Sequence, residues 1–241
     1  MLILTMSILV VVVIIFAQAY YRHQNRMIDP RIEPARRLYA SYNQLTEDGA
    51  NDAIFSLLDT VETIYTSVKH YKSSYELGVI SNNRAALWLT RALHDSDCDS
   101  ICKDSLVAKA AVAVQKSISI YRQWEERFGE ADAAACRKII REEFLNGLES
   151  YPPEKQGQFL DLRIEEILDS KREIPRRLSV SYTNQGIVHR YHIRYDSAAL
   201  CYTKALELWD RNLTAENNLN QLLGKPPRKT NVIQRLFPPE R

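Results

Sequence analysis

His94, Cys98 and Cys102 stand at i, i+4 and i+8, with Asp95, Asp97 and Asp99 between them. On one continuous helix that spacing would align an imidazole and two thiolates on a single face, a set of the kind that binds zinc. Two features argue against a metal centre. Structural cysteine sites use the tighter Cys-x2-Cys spacing, and this acidic stretch reads as a loop leading into a helix that Asp99 or Ser100 would cap. A Cys98–Cys102 disulfide is not expected either, because side chains one helical turn apart rarely reach bridging geometry. The four cysteines, at 98, 102, 136 and 201, do not form a disulfide framework, and reduced thiols are the plainer reading. His189 and His192 flank Tyr191, with no Ser or Cys nucleophile arranged beside them. No glycine-rich phosphate loop occurs, and acidic pairs such as Glu142-Glu143 and Glu165-Glu166 read as solvated helix faces. Asn212-Leu213-Thr214 fits the N-glycosylation acceptor pattern, but a turn between helices gives Asn212 a sufficient structural reason. The expectation is no catalytic residue, no cofactor and no small-molecule substrate. An enzyme or metal protein using His94, Cys98 and Cys102 is the remote alternative.

The elements carrying these residues follow from punctuation and periodicity. With 7 Gly and 9 Pro in 241 residues, the chain favours long helices and short connections. Residues 2–20, LILTMSILVVVVIIFAQAY, are nearly all apolar. As a helix they would rise about 28 Å, close to the ~30 Å hydrocarbon core of a bilayer. Tyr20 and Tyr21 fall where an interfacial aromatic belt belongs, so residues 1–21 are expected to be a single transmembrane helix. Ala17-Gln18-Ala19 also has the form of a signal-peptide cleavage site. Against cleavage, no Lys or Arg precedes the apolar run, while Arg22, Arg26, Arg31, Arg36 and Arg37 follow it. That bias places the C-terminal side in the cytoplasm; an extracytoplasmic domain is the alternative. The net charge of +2, with both signs interspersed, offers no basic stripe for nucleic acid.

Beyond the anchor, residues 22–34 read as a juxtamembrane linker broken by Asp29-Pro30 and Pro34. A short helix over 33–45 precedes the Asp48-Gly49 stop. Residues 50–68 carry an apolar stripe of Ile54, Leu57, Leu58, Val61, Ile64, Tyr65 and Val68 at helical spacing. Further helices are expected over 73–93, 105–128, 131–148 and 154–170, with a new helix starting at Pro175. Residues 213–223 read as a capping helix stopped by Gly224. The tail, 224–241, opens with basic, Pro-rich Lys225-Pro226-Pro227-Arg228-Lys229 and reads as flexible; Val232, Ile233, Leu236 and Phe237 form a short apolar cluster within it.

The densest pattern lies over 179–212: Tyr182-x2-Gln185-Gly186-x2-His189, then Tyr195, Ala198-x3-Tyr202-x2-Ala205-Leu206. Small and large residues alternate as two closely packed antiparallel helices require. This stretch resembles a tetratricopeptide repeat, a helical hairpin of about 34 residues. Gln185 stands where the family has Leu, His189 where it has an aromatic, and Asp210 where it has Pro. By this resemblance Gly186, Ala198 and Ala205 let the helices approach, while Tyr182, Tyr195, Tyr202 and Leu206 fill the space. Ala110, Val114, Ser117 and Ile118 repeat the same spacing, which makes residues 73–128 a second, degenerate unit.

The resemblance implies an all-α domain over 35–223, with tetratricopeptide-like hairpins stacked as a short right-handed solenoid behind the transmembrane helix. It also implies a concave face lined by the first helix of each hairpin. Thr183, Asn184, Ile187 and Arg190 would face outward there and carry recognition, and Asn184 with Arg190, like Asn82, Asn83 and Arg84 in the earlier unit, would grip a peptide backbone or carboxylate. The expected function is a membrane-tethered scaffold or adaptor with a protein or peptide partner. An exported envelope-assembly or structural protein of the same fold is the alternative.

Overall fold

A computed structural model describes residues 28–229, which form nine α-helices and no strand. In chain order they are α1 (Glu33–Tyr39), α2 (Tyr42–Glu47), α3 (Asn51–Ser67), α4 (Tyr75–His94), α5 (Ser100–Phe128), α6 (Ala133–Leu145), α7 (Pro153–Tyr191), α8 (Tyr195–Leu208) and α9 (Leu213–Leu222). A 3-10 turn, Lys69–Ser73, joins α3 to α4. The apolar run of residues 2–20, expected to span a membrane, lies outside the described residues. Among those described, no helix is long and apolar enough to cross one.

Two antiparallel pairs dominate the packing: α4 with α5, and the end of α7 with α8. A glycine sets the spacing in each. A Cβ on Gly186 would lie 2.4 Å from Tyr202 Cε1, and one on Gly78 would lie 2.7 Å from Tyr121 Cε1. Tyr202 and Tyr121 are themselves sealed in the interior, so neither ring has room to retreat. Seryl hydroxyls stitch the same crossings: Ser179 donates to the Ala205 carbonyl at 2.6 Å and Ser117 to the Gly78 carbonyl at 2.8 Å. The shared contact corrects the register expected for the first pair. Ser117, Tyr121 and Trp124 take the places of Ala198, Tyr202 and Ala205, seven residues beyond Ala110, Val114 and Ser117. All of these residues are buried. Tyr182 is buried and Leu206 half-buried, as packing residues should be. Tyr195, expected between the helices, is 53% exposed instead; it opens the first turn of α8 and points past the crossing.

The helix expected to end near Ser170 and restart at Pro175 is one 39-residue rod with Pro175 inside it. The ring removes one backbone donor and so one intrahelical bond, yet the rod holds because neighbours clasp it on both sides of the proline. Ile164, Ile167, Ile174 and Leu178 are all buried, and Lys171 donates to the Ala131 carbonyl at 2.9 Å.

Both ends of the domain are pinned more firmly than composition suggests. Within the expected linker, Asp29 and Ile32 are buried. Arg31 bonds Asp29 and also donates to the Phe144 and Asn146 carbonyls at 2.8 and 2.6 Å, tying the entry point to the end of α6. Asn212 caps α9 by accepting the Ala215 N–H, and its amide donates to Ser179 and Thr183 at 2.8 and 3.0 Å. In the folded domain, the acceptor nitrogen of the glycosylation pattern is therefore buried and occupied. The tail, expected to be free, folds back along α9 over residues 224–229. Asn217 accepts the Arg228 N–H at 2.7 Å and donates to the Arg228 carbonyl at 3.1 Å, and the Arg228 guanidinium meets Glu216 at 2.9 Å. The apolar cluster at 232–237 lies outside the described residues.

These contacts fix the sign of two glycine substitutions. Alanine is the better helix former by about 0.5–1 kcal/mol, but overpacking a filled core costs about 1–3 kcal/mol. Gly186→Ala should therefore lower stability by about 1–2 kcal/mol. Gly157 sits in the same helix with nothing within 4 Å of its added Cβ, so Gly157→Ala should raise stability by about 0.5–1 kcal/mol. Urea-unfolding midpoints of the two variants check both signs.

Candidate functional site

Helices α4 and α7 lie against one another and leave a groove between them. Along α4, Tyr75, Glu76, Val79, Asn82 and Asn83 recur at three- and four-residue steps, and along α7 so do Glu173, Arg177 and Val180. The groove comprises two adjoining cavities of about 150 and 160 Å³ that share Val79 and Arg177. The first is lined also by Asn82, Asn83, Tyr121, Glu173, Arg176 and Val180. The second is walled by Tyr39, Tyr65, Tyr75 and Glu76.

Two arginines, Arg176 and Arg177, line the first cavity with one carboxylate, Glu173. Arg177 lies between the two cavities, and its buried Nε has no hydrogen-bond partner among the described residues. A terminal nitrogen of its guanidinium lies 3.8 Å from the Glu173 carboxylate. Arg176 reaches Glu173 at 3.5 Å and lies over the Trp209 ring at 5.4 Å. The Asn82 side-chain oxygen accepts from Ser181 at 3.1 Å and Asn184 at 3.0 Å, which fixes the side chain at the groove floor. Asn83 donates to the Tyr39 hydroxyl at 2.6 Å. Burial and the neighbouring Tyr42 push that hydroxyl up to about 12, against Arg177 and Asn83, which lower it; Tyr39 is a neutral wall at physiological pH. Aromatic sides with guanidinium donors between them suit a segment carrying carbonyls or a carboxylate.

The seven expected recognition residues divide. Asn82 and Asn83 line the groove. Thr183 and Asn184, expected to face outward, face inward at 3% and 8% exposure: Thr183 bonds Ser179 and Asn212, and Asn184 supports Asn82 from behind. Arg84 turns to α3, pairing Glu62 and Asp59, each at 2.7 Å. Ile187 packs against the core, and Arg190 bonds Asn218 and Gln221 of α9. Arg176, Arg177, Glu173 and Tyr121 were missed. Their signal was present: Glu173, Arg177, Val180 and Asn184 share one face, but only of a helix that continues through Pro175.

Chemistry is otherwise sparse. Among the described residues, no group of three or more His, Cys, Asp or Glu is placed to hold a metal ion. Cys98 and Cys102 form a disulfide, with Cα atoms 5.4 Å apart. This overturns the expectation of reduced thiols, and the reason is local. Asp99 is the N-cap of α5, with extended backbone, and its carboxylate accepts the Cys102 N–H at 2.8 Å. Cys98 thus precedes the helix rather than sharing its turn. His94 and His192 are exposed; burial, with Arg194 and His192, holds His189 below its usual range.

One wall of the groove continues into a buried charge cluster. Glu76 pairs there with Arg163, which is 1% exposed. The Arg163 guanidinium reaches Glu76 at 2.6 Å, Glu166 at 3.0 Å and His70 Nε2 at 3.1 Å, and lies over the Tyr71 ring at 4.5 Å. Burial opposes ionisation of Glu166, but Arg163 and Arg36 outweigh it and hold the carboxyl below its ordinary range. His70 must accept from Arg163 through Nε2, so it is neutral with its proton on Nδ1. Burial, then Arg163, Arg127 and Arg31, push it down to about 2.

A histidine that cannot protonate when folded but can when unfolded makes stability rise with pH between its two values. His70 should therefore weaken the domain as pH falls below about 6.5, by up to about 1.4 kcal/mol per pH unit. His189 adds in the same direction, whereas carboxylates such as Glu166 contribute only at more acid pH. Urea unfolding between pH 7.5 and 5 should show this slope, and His70→Gln should remove most of it.

The chain matches no family model, no curated protein and no solved structure.

Proposed function

We propose that this chain is a membrane-tethered interaction module, held to a bilayer through residues 2–21, whose α4–α7 groove grips an extended segment of a protein partner. The observation that carries this reading is the half-exposed Arg177 side chain, shared by both cavities and 3.8 Å from Glu173, beside Asn82 and Asn83 in an aromatic-walled groove. Guanidinium donors left exposed in such a groove suit a ligand carbonyl or carboxylate. The tetratricopeptide-like hairpins support the same reading, since stacked hairpins use their first helices for recognition. A tether then acts by raising the local concentration of its partner at the membrane.

Photo-crosslinking tests this on the full chain in its own membranes. A benzophenone amino acid at Val180, inside the groove, should give a discrete adduct that the same probe at exposed Gln123 does not. Arg177→Gln should weaken that adduct about tenfold or more, the scale of a lost charge-assisted hydrogen bond. Identical adduct patterns at the two positions, or indifference to Arg177→Gln, would remove the groove from the function.

A further inference from the structure

The cysteines separate into two kinds. Cys136 on α6 is buried in the core, and Cys201 is half-buried on α8, with its thiol 3.7 Å from the side-chain amide oxygen of Gln185. Burial raises both thiols above their ordinary range, so neither is disposed to react. Cys98 and Cys102 lie where the chain turns from α4 into α5 and are bonded to each other. Cys98 is 6% exposed, whereas Cys102 is exposed on the first turn of a 29-residue helix. A helix N-terminus favours a thiolate, so Cys102 is the sulfur placed to begin bond formation.

We propose that Cys98–Cys102 is a formed disulfide in the native protein, installed by a disulfide-bearing oxidant, and that the helical domain therefore occupies an oxidising compartment rather than the cytosol. Glutathione and thioredoxin systems hold cytosolic thiols reduced, and lasting disulfides belong to exported domains. The exchange balances. The Cys102 thiol loses its proton, and its thiolate attacks one sulfur of the donor disulfide; the donor's other sulfur leaves with the electron pair and is protonated. Cys98 then loses its proton and attacks the Cys102 sulfur, releasing the second donor thiol. The domain has lost two electrons and two protons, and the donor has become a dithiol.

The bridge closes so short a loop that its effect on unfolded-chain entropy falls below the ~3 kcal/mol of a fifteen-residue loop. Its structural effect is to fix the corner from which α5 departs. This assignment opposes the arginine flank after residue 21, which predicts a cytoplasmic domain. It does not depend on the groove.

Thiol state and sidedness test it together. Native membranes are blocked with N-ethylmaleimide under denaturing conditions, then reduced and treated with a maleimide-polyethylene glycol that shifts gel mobility. Two additions should appear after reduction in the wild type and none in Cys98→Ser/Cys102→Ser. Absence of any addition in the wild type would overturn the bond. Protease added to sealed vesicles with the cytosolic face outward should spare the domain until detergent opens them; cleavage before detergent would overturn the compartment. Neither readout involves Val180 or Arg177, so failure here leaves the crosslinking result to stand or fall alone.

Discussion

A guanidinium removed from water is the constraint around which the first half of this domain is arranged. Arg163 cannot discharge by losing its proton, so its surroundings must supply opposite charge and acceptors. These come from four segments: Glu76 from α4, His70 and the Tyr71 ring from the 3-10 turn, Glu166 from α7 itself, and the Trp124 ring from α5. A buried ion pair adds little net stability compared with an apolar replacement, but removing one partner is strongly destabilising. The cluster ties α4, α5, α7 and the 3-10 turn together through one guanidinium, and Glu76 within it also walls the groove.

The crossings within both helix pairs are held by shape. Gly186 against Tyr202 and Gly78 against Tyr121 are the same device used twice: a missing Cβ lets a tyrosine ring lie against helix backbone. The hydroxyl of Tyr202 is buried with no partner among the described residues, so the contact with Gly186 rests on the ring. Serines close the gaps by bonding carbonyls across each crossing, and the buried pair Ser117–Ser181, 3.0 Å apart, links the two hairpins. The Asn82–Asn184 contact that sets the groove floor belongs to this same layer of small polar residues.

Much of this was legible in the sequence, and what was not has physical reasons. The hairpin around Gly186, Ala198 and Tyr202 could be read because alternating small and large residues have few other uses. The register of the first pair could not. A shift of seven residues on a helix returns almost to the same face, so Ala110, Val114 and Ser117 look like Ser117, Tyr121 and Trp124 until Gly78 selects between them. Pro175 concealed part of the groove, because a break there separates Glu173 from Arg177 and Val180. The Asp99 cap was legible, but the spacing alone sets Cys98 and Cys102 one helical turn apart, whereas Cys98 lies outside the helix that Asp99 opens.

The long rod α7 also works as a ruler. Its early turns hold the level at which the chain enters the domain, since His70, bonded to Arg163, packs edge-on against Phe144, whose carbonyl anchors Arg31. Its last turn, through Arg190, bonds Asn218 on the helix along which residues 224–229 are laid. From residue 163 to residue 190 an α-helix rises about 40 Å. Entry and exit of the chain are thus set apart by a single unbroken strut, and whatever is attached at one end is held at a fixed stand-off from the other.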